Sequence, residues 1–225
     1  MGIAGWLACG SGWAGEWEAV PRHETRRGTA GGFELGRCEV SAADFADYLN
    51  GAGVSGFPET AQITKRPDGT YAVKEGVRGQ AASEVTAAEA EAYCLWLSRK
   101  TERTVRLPTE SEWEAAARGG VDGAPYPWGW GGVPQERARF DAAAPAARCG
   151  TFPANGFGLC DMAGNLYEWC APPPDMPKGQ RAARGGSWAE SDPDRLNVER
   201  RQLFPADYRG RDVGFRALRE KEKEQ

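Results

Sequence analysis

Two acidic side chains in residues 155–169 could bind a hard cation. Asp161 and Glu168 lie among glycines, in a stretch with no repeating apolar period. Glycine allows sharp bends, so this pattern predicts an irregular loop that is held by specific contacts. Carboxylate and carbonyl oxygens are the ligands that Ca²⁺ prefers. The alternative is that Asp161 caps a turn while Glu168 pairs with an arginine such as Arg184 or Arg216.

A second candidate site is the charged segment at residues 189–212. Runs of charge usually form a solvated face with internal ion pairs. The other interpretation is a surface that recognises a ligand or a protein, because loops on a rigid scaffold often carry function and Tyr and Arg often anchor interfaces. The residues assigned to this surface are Trp188, Glu190, Asp192, Arg195, Glu199, Arg201, Tyr208, Arg209 and Arg211. On this interpretation, Tyr208→Ala or Arg209→Ala should abolish partner capture without unfolding the protein.

The composition disfavours other kinds of site. Six cysteines form no CxxC pair, and His23 is the only histidine, which excludes a His-rich metal site within this chain. The formal net charge is −4 without a basic patch, so nucleic acid is not an expected partner. No apolar run approaches the ~18–20 residues of a membrane span.

The N-terminal residues bear on localisation. Leu7, Ala8, Cys9 and Gly10 look like a lipoprotein processing box, but the eight residues before the cysteine lack a basic region and a full apolar region. We therefore expect a cytoplasmic protein, and a lipid anchor at Cys9 stays the alternative.

Three helices and a hairpin are predicted to position these residues. Ser41, Thr86 and Thr109 each stand three residues before an acidic side chain, which is the pattern of a capping box at a helix start. Glycines at 119–120 should stop the third helix. Residues 63–73 place a Pro-Asp-Gly turn between two β-favouring runs, which predicts a hairpin.

Shorter patterns predict the remaining elements. Residues 16–20 and 33–35 alternate in polarity and are expected to form strands. The Asn-Gly pair at 50–51 should end the first helix in a left-handed turn. Residues 184–188 look like the entry to a strand, and residues 212–218 look like a terminal strand.

The chain is predicted to fold as one domain without a linker or an internal repeat. The core of the domain is residues 34–218, with residues 1–33 as a strand-and-loop extension and residues 219–225 as a charged tail. The counts of 30 Gly, 15 Pro and 9 Trp indicate many turns, short regular elements and bulky aromatic side chains.

Six motifs resemble, in order, the formylglycine-generating enzyme (sulfatase-modifying factor) family. They are Arg106-Leu-Pro-Thr-Glu-Ser-Glu-Trp-Glu-Ala-Ala-Ala-Arg118, Tyr126-Pro-Trp-Gly129, Asn155-Gly-Phe-Gly-Leu159, Asp161-Met-Ala-Gly-Asn-Leu-Tyr-Glu-Trp169, Arg184-Gly-Gly-Ser-Trp188 and Val213-Gly-Phe-Arg216. The resemblance runs from about residue 34 to residue 218. It implies an α+β fold of the C-type-lectin-like type, with short twisted antiparallel sheets, two to three helices and extensive ordered loops.

The resemblance also implies a structural Ca²⁺ ion. In the family the segment that matches residues 161–168 is a calcium loop, and its ligands fall on the side chains of Asp161 and Glu168 and on the carbonyls of Gly164 and Leu166. The family's other calcium site has no match, because Arg139 stands where an oxygen ligand is expected.

The family's oxidase chemistry has no counterpart in the matching segment. That chemistry uses two cysteines after the Gly-Gly-Ser motif, and their thiolates bind copper(I). Residues 188–200 contain no cysteine, so no copper is expected, and Cys160 and Cys170 lie on the calcium-loop side instead. The sequence therefore favours a non-catalytic domain that binds a protein or small-molecule ligand through residues 189–212. The alternative is an oxidoreductase of the formylglycine-generating type with altered metal chemistry.

A related group is similar in layout near the C-terminus. Variable proteins of diversity-generating retroelements use this fold and place a hypervariable segment between a Gly-Gly-Ser-Trp-like motif and a Gly-Phe-Arg-like end. Residues 184–216 have that layout. Adenine-targeted variation does not readily yield Glu190, Glu199 or Gln202, so hypervariability stays an alternative interpretation.

Overall fold

A computed structural model describes residues 16–25, 28–132, 135–143 and 145–221. These residues form the predicted α+β fold, with three helices and short, mostly antiparallel sheets. The helices are α1 (Ala42–Gly51), α2 (Ala87–Thr101) and α3 (Glu110–Ala117). The strands are β1 (Trp17–Val20), β2 (His23–Thr25), β3 (Gly28–Ala30), β4 (Phe33–Gly36), β5 (Ile63–Lys65), β6 (Tyr71–Val73), β7 (Val105–Arg106), β8 (Tyr167–Trp169), β9 (Gln180–Arg184), β10 (Arg201–Pro205), β11 (Val213–Gly214) and β12 (Leu218–Glu220).

Each helix begins at a capping box, as predicted. The hydroxyls of Ser41, Thr86 and Thr109 accept hydrogen bonds of 3.1–3.3 Å from the backbone N–H three residues ahead. The acidic side chain at that third position accepts a hydrogen bond from the cap's own N–H. Each cap satisfies N–H groups that the helix leaves without partners and contributes about 1 kcal/mol. The predicted stop of α3 is also confirmed, since Gly119 and Gly120 have φ angles of +60° and +89°.

Two four-stranded sheets and two small hairpins make up the β structure. One sheet has the order β1-β4-β12-β7, and the other has the order β10-β9-β8-β11, in which β11 pairs with β8 in parallel. The predicted hairpin is formed by β5 and β6. Arg219 and Glu220 lie in β12 and pair with β4, so the regular structure continues two residues past the predicted boundary at residue 218.

Three predicted boundaries are wrong. Residues 180–184 form β9 by pairing with β10, so the motif at 184–188 is the end of a strand, after which two glycines turn the chain. Residues 212–218 hold two strands rather than one, because β11 pairs with β8 while β12 pairs with β4 and β7 in the other sheet. The first helix continues through Gly51, since the Ala52 N–H still bonds Tyr48 O at 2.8 Å, and the left-handed residue is Gly53.

An aromatic cluster joins α1 and α2 to the second sheet. The ring of Phe215, which follows β11, meets the edges of Phe45 on α1 and Tyr93 on α2, with centroids 6.2 Å and 5.2 Å away. Tyr48 packs edge-to-face on Tyr93 at 5.6 Å. All four side chains are buried. Such pairs add about 0.5–1.5 kcal/mol each beyond the burial of their area.

A fully buried arginine holds the two sheets together. Arg216 has no exposed surface and forms a bidentate salt bridge with Glu168 on β8, with both N···O distances at 2.6 Å. Its remaining N–H groups donate to the carbonyls of Gly36, Arg37 and Cys160 at 3.0–3.2 Å. The guanidinium therefore bonds the end of β4, the loop before β8 and β8 itself.

Candidate functional site

Residues 189–212 lie at the edge of the second sheet. After the turn at Gly185, the chain passes through a short 3-10 helix (Pro193–Leu196) and returns as β10, the edge strand beside β9. Leu196 and Val198 are buried and anchor the segment between β9 and β10 to the core. Most of the other side chains between residues 189 and 201 are exposed. The structure thus places a largely solvent-facing segment on a fixed base.

Four polar residues make contact at this surface and Arg195 lies near them, and we call the five the Tyr167 cluster: Tyr167, Glu190, Arg195, Tyr208 and Asp212. The Tyr167 hydroxyl donates to Glu190 Oε1 at 2.7 Å, and the Tyr208 hydroxyl donates to Asp212 Oδ1 at 2.9 Å. Arg195 and Asp212 are both close enough to Tyr167 to act on its titration. Two tyrosine hydroxyls therefore orient two carboxylates, and an arginine lies beside them.

Both tyrosines of the cluster stay protonated at neutral pH. Burial raises the pKa of Tyr167 well above its usual range, and the hydrogen bond to the Glu190 carboxylate raises it further. The same two causes, burial first and then the hydrogen bond to Asp212, raise the pKa of Tyr208 to about 12. The hydroxyls consequently act as hydrogen-bond donors and not as bases.

Phe204 gives the cluster an aromatic floor. Its ring stacks on Tyr208 with centroids 4.4 Å apart and an interplanar angle of 12°. The edges of Tyr167 and Trp169 meet Phe204 at 5.5 Å and 5.7 Å. Phe204 therefore connects the half-buried ring of Tyr208, in the turn after β10, to the buried rings of Tyr167 and Trp169 on β8.

Three predicted ligand-binding residues lie beside the cluster, toward α2. The Trp188 indole N–H donates to the Arg211 carbonyl at 3.0 Å. Arg209 donates to the carbonyl of Glu84 and to Glu89 Oε1, both at 2.6 Å. Because Glu89 is the acidic member of the α2 capping box, Arg209→Ala is expected to reduce stability as well as any binding. The Arg211 side chain is 64% exposed and lies 4.0 Å from Glu84 Oε2.

Two further predicted residues contact α3. Glu199 Oε1 accepts from Arg118 at 2.7 Å, and Arg201 lies 3.2 Å from Glu110. These are internal ion pairs of the kind that the charge run also predicted. Asp192 caps the 3-10 helix by accepting from the Asp194 N–H at 3.0 Å. The structure therefore brings Glu190, Arg195 and Tyr208 together and divides the other predicted residues among neighbouring contacts.

Sequence reasoning did not single out Tyr167, Phe204 or Asp212 as ligand-binding residues. Tyr167 lies within the motif that was assigned to calcium, whereas Phe204 and Asp212 lie within the predicted segment 189–212 but were not among the residues assigned to ligand binding. Only the β8 pleat, which places Glu168 on the face toward Arg216 and the buried Tyr167 on the opposite face toward Glu190, reveals the role of Tyr167. Alternation within the three residues of β8 is too short a signal to find it.

Protein donors hold the first predicted calcium ligand. Asp161 is buried and has a left-handed backbone, with φ +56°. Its carboxylate accepts from the backbone N–H groups of Gly150 at 2.5 Å and Phe152 at 3.0 Å. Burial raises the pKa of Asp161, and these two hydrogen bonds counteract the rise. Gly164 lies against the Arg139 carbonyl, and the Leu166 side chain packs in a small apolar cluster.

Protein donors hold the second predicted carboxylate too. Glu168 accepts from Arg216 through both oxygens and from the Trp113 indole N–H at 2.6 Å. Across the described ranges, no group of three or more His, Cys, Asp or Glu side chains is arranged to hold a metal ion. With a buried guanidinium on Glu168, this arrangement does not fit a Ca²⁺ ion. Calcium binding by Asp161, Gly164, Leu166 and Glu168 stays a prediction.

A thermal melt tests the calcium prediction. Because Arg216 already neutralises Glu168, we expect excess calcium and excess EDTA to give the same melting temperature. A structural ion at a hundred times its Kd would instead add about 2.7 kcal/mol and raise Tm by about 5–10 °C. Such a rise would show that calcium displaces Arg216, and a Glu168→Gln variant should then lose it.

The motifs and the fold together identify the family. A profile of the sulfatase-modifying factor enzyme 1-like domain matches residues 4–221. The chain belongs to this family. The Arg216–Glu168 pair and the three capping boxes lie within the matched region, so the family's motif residues here form the central bonds of the fold.

Relatives in the family include proteins named as formylglycine-generating enzymes and proteins named as inactive. The formylglycine-generating enzyme of Streptomyces coelicolor is 31% identical over 212 residues, which cover 79% of this chain and 65% of that protein. The inactive C-alpha-formylglycine-generating enzyme 2 of Mus musculus is 40% identical over 117 residues, which cover 46% of this chain and 36% of that protein. The chain spans 22% to 36% of the length of the first curated relatives that it matches.

Solved structures confirm the fold. Variable protein 1 of Treponema denticola aligns with a TM-score of 0.68 and 22% sequence identity, and the alignment covers 86% of this chain and 87% of that one. At this identity the likeness concerns the architecture alone, which is the predicted C-type-lectin-like fold. Within the part of the chain that the structure describes, no helix has the length and apolarity to cross a membrane.

Proposed function

We propose that this chain is a non-catalytic binding domain that holds a protein or small-molecule ligand on the surface of the exposed segment 189–212 together with Trp188. The observation that supports the proposal is the Tyr167 cluster. Hydrogen-bond donors and acceptors with fixed orientation surround an aromatic floor, and the whole lies on a loop and an edge strand that the core supports. Aromatic and arginine side chains with such support are the usual anchors of binding surfaces.

The charges of the surface indicate what the ligand offers. Arg195 and Arg211 are exposed at two places on the segment and can each pair with an acidic group. Glu190 and Asp212, each held by a tyrosine, can accept from a ligand's N–H or O–H groups. A ligand with carboxylates and amide donors, such as an acidic protein loop, would match both sets.

The sequence and one relative support the absence of catalysis. No cysteine stands in residues 188–200, so the thiolate pair that binds copper(I) in the family is missing from its place. Cys160 and Cys170 are buried, and the Cys170 thiol faces the Glu168 carbonyl at 3.7 Å. The Mus musculus relative is itself named inactive. The alternative, an oxidoreductase with altered metal chemistry, would require copper-dependent oxygen consumption with a cysteine-containing peptide.

The binding proposal is tested with a double variant and a matched control. Arg195→Ala combined with Arg211→Ala should weaken capture of the partner at least about tenfold, because each lost interface ion pair costs about 1 kcal/mol or more. Arg99→Ala removes an exposed arginine on the last turn of α2 and should leave capture unchanged. The immobilised full chain captures partners from host lysate, and cross-linking with mass spectrometry locates the contact.

Two outcomes of this experiment would contradict the binding proposal. Equal capture by the double variant and the control, with both folded by circular dichroism, would contradict the proposal. Cross-links that fall outside residues 188–212 would contradict it as well.

Diversification of the segment by a retroelement is a finer form of the same proposal. It is supported by the position of residues 189–212 between the Arg184 and Arg216 motifs and by their exposure. A reverse-transcriptase gene and a template repeat beside this gene are expected if it holds. Their absence from the genomic neighbourhood would leave binding by a fixed surface.

A further inference from the structure

Two cysteine thiols meet behind the loop that precedes β8. The Cys38 and Cys160 side chains are in hydrogen-bonding contact, and neither is in a disulfide. The backbone brings them together, since the Cys160 N–H donates to the Arg37 carbonyl at 2.8 Å. Arg216 donates to the carbonyls of Arg37 and Cys160 at 3.2 Å and 3.0 Å, so one buried guanidinium fixes both segments.

A small cleft gives access to one thiol of the pair. Cys38 lines a space of about 30 Å³ that it shares with Glu16 and Trp17, and Glu16 is exposed. Such a volume holds one or two water molecules. Hydrogen peroxide is of that size and fits beside Cys38, which is 9% exposed, whereas Cys160 is not among the residues that line this space.

Positive charge surrounds the pair. The Arg37 side chain contacts the Cys160 thiol and also pairs with Glu16 at the cleft. Arg216 lies close enough to Cys38 to interact with it electrostatically. Two guanidinium groups therefore stand beside the two thiols.

We propose that Cys38 and Cys160 form a peroxide-oxidised disulfide that fastens β4 to the loop before β8. The Cys38 sulfur attacks one oxygen of hydrogen peroxide, so that an S–O bond forms, the O–O bond breaks and hydroxide leaves to take up the thiol proton. The Cys160 sulfur then attacks the Cys38 sulfenic acid, so that the S–S bond forms, the S–O bond breaks and a second water leaves. In total, two thiols lose two electrons, and one peroxide is reduced to two waters.

The bond would stabilise the base of the Tyr167 cluster. It closes a long loop of chain between residues 38 and 160, and disulfides that close long loops stabilise most. Since the loop that holds Cys160 leads directly into β8, oxidation should raise the melting temperature by about 5–10 °C. This inference does not depend on what the surface of residues 188–212 binds.

The test is peptide mapping of the full chain after treatment with hydrogen peroxide at a small molar excess. A Cys38–Cys160 peptide and a rise in melting temperature that dithiothreitol reverses are expected. Cys38→Ser and Cys160→Ser should each abolish both effects. The matched control Cys94→Ser removes another buried thiol, on α2, and should retain both.

Two results would overturn the proposal. One is a linkage of Cys149, which is partly exposed nearby, to either member of the pair. The other is oxidation of Cys38 to sulfinic acid without any linked peptide. If both serine variants unfold, the mapping of the unsubstituted protein still decides between these results.

Discussion

Replacing Glu168 by alanine should lower the free energy of unfolding by about 3–5 kcal/mol. The change leaves the Arg216 guanidinium fully buried without a carboxylate, because Glu168 supplies both contacts at 2.6 Å. It also removes the acceptor of the Trp113 indole N–H. Urea denaturation followed by circular dichroism measures the loss.

The matched control for this prediction is an exposed pair of the same residue types. Glu220→Ala breaks the contact with Arg106 at 3.0 Å, in which the two side chains are 48% and 35% exposed. Exposed pairs contribute about 0–1 kcal/mol, so this variant should remain close to the parent. Equal losses for Glu168→Ala and Glu220→Ala would show that the buried pair is not the central bond of the fold.

A double-mutant cycle separates the pair from its surroundings. Arg216→Met alone should also destabilise the protein, since it leaves the Glu168 carboxylate buried. The Glu168→Ala and Arg216→Met double variant should lose less than the sum of the singles, by about 1–3 kcal/mol. Additive losses would mean that each side chain acts through its other hydrogen bonds instead.

The helices could be predicted from the sequence because their signals are local. Ser41, Thr86 and Thr109 each find their acidic partner three residues away, and the helix follows from the cap and the apolar stripe behind it. The β5–β6 hairpin is equally local. The same reasoning located the strand ends only approximately, because strand pairing depends on partners elsewhere in the chain, as with β12 and β4.

The candidate site could be predicted only in outline, since its contacts join distant segments. Charge and tyrosine content marked residues 189–212, but the partner of Glu190 is Tyr167, which stands 23 positions earlier on β8. Glu39 and Asn165, whose side chains bond at 2.7 Å, are 126 positions apart. Burial raises the pKa of Glu39 far above its usual range, and a glutamate in the sequence gives no sign of that.

The family resemblance predicted the overall fold, which local patterns could not do, but it did not predict the salt-bridge partner of Glu168. Its motifs predicted the C-type-lectin-like fold, and two of these motifs contain Glu168 and Arg216. It assigned Glu168 to a cation, which stays a prediction, and in the structure that carboxylate pairs with Arg216, one of the two arginines that the sequence offered as the alternative. A motif fixes which residues stand near one another, but the charge balance of the site decides what each one binds.

Gly164→Ala should be the second most damaging of the changes considered, with a loss of about 2–5 kcal/mol in the free energy of unfolding. Gly164 has a φ of +72°, and a Cβ there would stand 2.3 Å from the Arg139 carbonyl oxygen. The carbonyl cannot easily withdraw, because it accepts from the Asn165 N–H at 2.8 Å. Gly179→Ala is the matched control, with a φ of +76° and no atom within 4 Å of the new Cβ. It should show only the left-handed backbone cost of about 1–2 kcal/mol. Chemical denaturation measures the loss in free energy of unfolding for each variant. If the two losses are equal, the close approach of Gly164 to the Arg139 carbonyl does not constrain the loop that leads into Tyr167.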